Sequence, residues 1–90
     1  MKEEIYPPMD KIRLALRHCP GATITYLDIW QRANENGHID IPKKSIKMEY
    51  LMSPTMFANK LIALSREGLI KVGFQPKKFV VDIVGYERGV

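Results

Sequence analysis

A single cysteine, Cys19, stands in this chain of 90 residues, so no internal disulfide can form and the fold does not depend on an oxidising compartment. Imidazoles are nearly as scarce, with only His18 and His38. A zinc site ordinarily takes four suitably spaced Cys or His ligands, and the neighbours His18 and Cys19 do not share a helix face. No metal and no cofactor are expected. Long apolar runs are missing too: stretches such as Phe79-Val80-Val81 fall far short of the roughly 20 residues that span a bilayer. The opening MKEEIYPPMDKIRLALRHC offers no apolar run suited to a signal peptide. The expected place is the cytoplasm, with no membrane partner. The chain also lacks a nucleophile elbow, a phosphate-binding glycine loop, an HExxH pair and a convergent pair of carboxylates. It is therefore not expected to be an enzyme, and no small-molecule ligand is evident.

What is present is an ordinary globular composition, 46% hydrophobic and 27% charged, at a length that makes one domain with little room for a deep cleft. The net charge is +4, and its distribution matters more than its size. Residues 43–78 hold eight basic side chains against two acidic ones, whereas the rest of the chain is slightly acidic. A concentrated basic segment suits a polyanionic partner. Lysines also solvate the surface of proteins that bind nothing, so the charge counts only once a fold places it.

The hydrophobic pattern divides the chain into elements. Residues 1–8 read as a flexible arm punctuated by Pro7-Pro8. From Met9 to Cys19, apolar residues recur at helical spacing, and Pro20-Gly21 stops the run. Thr25, with Asp28 three residues on, resembles a capping box that opens a second helix running to Asn36, with Gly37 as its left-handed stop. Tyr26, Ile29, Trp30 and Ala33 form its inner stripe, so its aromatics read as core and not as stacking platforms. Residues 38–52 form an extended connection of open conformation: Ile46, Met48 and Tyr50 alternate as in a strand, yet Ile46 and Tyr50 are also four apart as in a short helix. Ser53-Pro54 is the clearest helix start, a capping serine followed by proline at the first position. That third helix runs to about Glu67 with Phe57, Leu61 and Leu64 inward, and Gly68 closes it. Residues 69–74 and 78–84 then read as a hairpin about Gln75-Pro76-Lys77, and 85–90 as a short tail.

This order, and above all the stretch SPTMFANKLIALSREGLIKV running into a hairpin, resembles the winged helix-turn-helix superfamily over roughly residues 9–84. The resemblance implies an α+β fold: a three-helix core with a C-terminal two-stranded antiparallel hairpin. It implies a recognition helix at 53–67 and a wing at 69–84, hence sequence-specific binding of double-stranded DNA in transcription regulation or genome maintenance. Thr55, Met56, Asn59, Lys60 and Ala63 would face base edges. Ser53 would present the helix N-terminus to a phosphate. Lys77 and Lys78 would touch backbone or minor groove from the wing tip, and Lys43, Lys44 and Lys47 would grip a flanking phosphate. One small domain covers little DNA, so a homodimer or cooperative oligomer on DNA is expected, with the first helix and the tails as contact surfaces. The chain departs from the family in the long connection between its second and third helices. The competing reading is a winged-helix protein–protein interaction module without DNA binding, which the modestly apolar Met56, Ile62 and Ala63 would serve.

Overall fold

The computed structural model describes residues 6–86. The expected flexible arm and tail fall largely on residues 1–5 and 87–90, outside the described residues. The first helix, α1 (Met9–His18), turns its buried Ala15 inward and ends at Cys19, whose amide still bonds back to the Ala15 carbonyl at 2.8 Å. Pro20–Ala22 make one tight 3₁₀ turn that leads without a break into α2 (Thr23–Arg32).

That continuity corrects the expected capping box. The helix opens at Thr23, with Ala22 in the capping position and no side-chain cap, and Thr25 lies buried within it. The preceding 3₁₀ turn already brings the chain in with helical geometry, so no polar side chain is needed to start it. The helix also ends earlier than Asn36. Ala33 is extended, and the Asn34 side chain accepts from the amides of Asn36 and His38 at 2.9 and 3.0 Å. An Asx turn of this kind competes with helix continuation. Gly37 is left-handed as expected, at φ 75°, but it serves this turn and not a helix end.

In the connection 38–52, of the two alternatives left open for Ile46, Met48 and Tyr50, the short helix is the one that forms. The connection supplies strand β1 (His38–Pro42), a 3₁₀ turn at Lys43–Ser45 and this five-residue helix α3 (Ile46–Tyr50). Leu51, left-handed at φ 57°, begins a three-residue turn that ends at Ser53, and α4 (Pro54–Arg66) follows. The Ser53 Oγ accepts from the Met56 amide at 3.1 Å, the cap expected from its sequence. At the other end Gly68, at φ 74°, lets the Leu69 amide reach the Leu64 carbonyl and its own amide reach that of Ser65, a Schellman closure.

β2 (Ile70–Phe74) and β3 (Lys78–Ile83) pair antiparallel, and β1 adds to the far side of β3. The expected two-stranded hairpin is thus two thirds of a three-stranded antiparallel sheet ordered β1-β3-β2. The register sets Ile39 opposite Val81 and Ile41 opposite Phe79, and on the other side Ile70 opposite Ile83. One sheet face therefore joins Trp30, Tyr26, Phe57, Leu61 and Leu64 in a single core, while His38, Asp40, Lys71, Lys78 and Asp82 stand on the other. The protein is a small α+β domain. Among the described residues no helix is long and apolar enough to cross a membrane.

Candidate functional site

An aromatic chain sets the geometry at one end of the molecule. Phe57, in the first turn of α4, packs on Tyr50 of α3 at 4.5 Å between ring centres and stacks with Phe79 of β3 at 6.0 Å. Phe74, at the end of β2, meets Phe79 edge-on at 5.4 Å. Since Phe79 follows Lys78, the start of α4 and the tip of the β2–β3 hairpin are held side by side. Arg32, at the end of α2, fastens α3 from behind. Its guanidinium lies 4.6 Å from the Tyr50 ring centre, donates to the Glu49 carbonyl at 3.2 Å and pairs with Asp28 at 3.1 Å. Burial pushes the Tyr50 hydroxyl up to about 12, against the pull of Arg32, so this ring stays neutral in its role as a wedge.

Two groups of the expected site residues are brought together. Lys43 and Lys44, after β1, meet Lys77 and Lys78 around an open groove also lined by Pro42, Gln75 and Pro76. A backbone bond from the Lys43 amide to the Lys77 carbonyl at 2.9 Å closes this end of the sheet. Lys43 lies with its ammonium 5.2 Å from the Phe79 ring centre, a cation–π contact that keeps its charge. Lys78 is partly neutralised by Asp40 at 3.2 Å. The side chains of Lys44 and Lys77 are exposed and form no hydrogen bond or ion pair among the described residues. Lys47 lies apart from this groove, exposed on α3.

The second group is on α4. Thr55, Met56 and Asn59 are exposed. Of the first amides of the helix, Pro54 has none, Met56 bonds the Ser53 hydroxyl and Phe57 bonds the Ser53 carbonyl, which leaves that of Thr55 for an incoming acceptor. Lys60 is placed differently from the expectation: half-buried, its ammonium donates to the Gly21 carbonyl of the 3₁₀ turn before α2. With Met56, Asn59 and Ala63 it lines a shallow groove whose other wall is His18, Cys19, Gly21 and Ala22. Arg66, outside the expected set, is exposed in the last turn of α4. Its spacing of seven from Asn59 and eleven from Thr55 puts all three on one face, a signal present in the sequence.

A third cluster was not anticipated. On the outer sheet face both ring nitrogens of His38 meet carboxylates, Nδ1 that of Asp82 at 2.7 Å across the strands and Nε2 that of Asp40 at 2.8 Å along its own strand, and the protonated ring donates to both. These two carboxylates hold its pKa above the ordinary value. Lys78 and His38 in turn hold Asp40 below its own.

Comparison with protein-family models, with curated proteins and with solved structures returns no match. The chemistry available here is that of a surface: exposed cations beside an exposed helix face. Among the described residues no group of three or more His, Cys, Asp or Glu side chains is arranged to hold a metal ion.

Proposed function

We propose that this domain binds double-stranded DNA in the manner of a winged helix-turn-helix protein, with α4 as recognition helix and the β2–β3 hairpin as wing. One observation carries the reading: α3 and the Ser53-capped α4 are joined by the three-residue turn 51–53, next to a hairpin tip where four lysines converge. A helix–turn–helix unit joins its two helices through such a turn and lays the second in the major groove. On this reading α3, within the long connection, serves as the first helix of that unit. In this reading Thr55, Met56 and Asn59 face base edges, Asn59 making the two-point bond to adenine, while Arg66 reaches a base or phosphate at the far end. Lys43, Lys44, Lys77 and Lys78 engage phosphates beside the groove. Lys60, held by Gly21, orients the start of α2 against α4 and contributes its charge at a distance.

The test is a fluorescence titration of labelled duplexes, selected from a random pool, across a salt series. Each phosphate neutralised adds roughly 0.9 to the slope of log affinity against log salt. Replacing Lys44 and Lys77 by alanine lowers that slope by about 2 and weakens all sequences alike. Asn59→Ala instead relaxes preference at one base pair, at about 1–3 kcal/mol. Salt-independent binding, or two variants that behave like the parent, refutes the docking. A second reading, an interaction module for another protein, draws on Met48 and Leu51, which are 84% and 85% exposed beside the same turn. It is favoured if a stoichiometric protein partner co-purifies and no salt-sensitive shift of DNA is found.

A further inference from the structure

Among the described residues the outer face of α1 is left unpartnered, and its side chains match themselves. Met9 and Leu16, seven residues apart, are 61% and 53% exposed on one stripe. Asp10, Arg13 and Arg17 stand beside them, exposed and without an ion pair or hydrogen bond among the described residues. Asp10, Arg13, Leu14 and Arg17, at the spacing i, i+3, i+4, i+7, also ring a shallow dent in the helix surface, the shape into which a side chain of a facing helix inserts.

We propose that α1 pairs with α1 of a second copy of this chain, antiparallel about a two-fold axis. When Met9 of one copy is set level with Leu16 of the other, the two-fold repeats the apolar contact at the opposite end. In this register Asp10 falls about 3 Å along the axis from both Arg13 and Arg17 of the second copy, since each lies two residues from its level at 1.5 Å per residue. Each carboxylate thus sits between two guanidiniums. A parallel pairing would set Asp10 against Asp10 and Arg17 against Arg17. A helix of ten residues is about 15 Å long and cannot supply the roughly 800 Å² per partner of a stable interface. The free chain is therefore a weak dimer. Pairing strengthens when two copies sit on neighbouring half-sites, where the effective concentration reaches the millimolar range. Only this last step rests on the DNA reading.

Sedimentation equilibrium of the whole chain at low salt, up to about 1 mM, tests the pairing. The wild-type chain shows a monomer–dimer equilibrium. Asp10→Arg, which gathers like charges at both ends, raises the dissociation constant about tenfold or more. Adding Arg13→Asp and Arg17→Asp to that variant restores the wild-type value to within about threefold, a rescue that helix stability alone does not produce. All three positions are exposed, and thermal melts confirm that each variant folds. A wild-type chain monomeric throughout, or a triple variant as weak as Asp10→Arg, overturns the proposal. A chain that dimerises with this charge pattern yet binds no duplex leaves the pairing standing and removes the DNA reading. One that binds duplex as independent monomers and stays monomeric free in solution does the reverse.

Discussion

Leu51 is a leucine held where glycine belongs, and replacing it with glycine stabilises the domain. It is the only non-glycine residue with positive φ among the described residues, at 57°, and it forms the turn between α3 and α4. In that conformation the Cβ of an L-residue crowds the following carbonyl oxygen, at a cost of roughly 1–2 kcal/mol. The side chain recovers little of this by burial, because it is 85% exposed. Glycine removes the crowding but loses more freedom on folding, at about 0.5–1 kcal/mol. The difference leaves Leu51→Gly more stable by about 0.5–1 kcal/mol, a rise in Tm of roughly 2–8 °C for a domain of this size. Urea unfolding followed by circular dichroism reads it directly, as a higher midpoint at unchanged slope. Leu51→Ala keeps the strained Cβ and stays near the parent. Leu51→Val, with its branched Cβ, falls below it. A glycine variant at or under wild-type stability refutes the reasoning, and shows that the leucine holds a contact worth more than its strain.

Further predictions concern the caps, the glycines and pH. Ser53→Ala loses the bond to the Met56 amide and costs about 1 kcal/mol, read from the same unfolding curves. Gly37→Ala and Gly68→Ala separate strain from crowding: both glycines are left-handed, but a Cβ at Gly37 would lie 2.6 Å from the Cβ of Tyr86, whereas at Gly68 it meets nothing within 4 Å. Gly68→Ala thus costs only the backbone penalty less the chain entropy that alanine saves, about 0.5–1 kcal/mol net, and Gly37→Ala more, in a paired thermal melt. His38 gains its proton more readily in the folded state, because Asp82 and Asp40 face its two nitrogens. Its contribution is complete below the unfolded value of about 6.5 and is lost as pH rises through the higher folded value. The stability advantage of the wild type over His38→Gln therefore shrinks on going from about pH 5.5 to about pH 8.5. An advantage that is constant or grows with pH contradicts the bridge.

Much of the helical framework was legible because local chemistry decides it. Ser53-Pro54 and Gly68 bound α4 through interactions that reach no more than five residues, and Phe57, Leu61 and Leu64 face inward through the helical period alone. The start of the second helix is not legible, because a local signal meets a stronger neighbour: Thr25 with Asp28 resembles a cap, but the turn Pro20–Ala22 already starts the helix. Strand β1 is not legible although His38-Ile39-Asp40-Ile41 alternates, because a strand of five residues ending in proline gains its ladder pairing only from β3, some forty residues away.

The candidate site divides along the same line. The capped helix, its exposed Thr55, Met56 and Asn59, and the lysine-bearing hairpin turn are legible in the residues, because each follows from periodicity and short-range bonding within one segment. Tertiary structure alone decided that Lys43 and Lys44 join Lys77 and Lys78, that Lys60 is tied to Gly21, and that His38 bridges Asp40 and Asp82. Those partners are brought within reach by the pairing of β1 with β3 and by the packing of α4 beside the turn before α2. Contacts between distant segments depend on how whole elements bury their apolar faces, which no single stretch of the chain encodes.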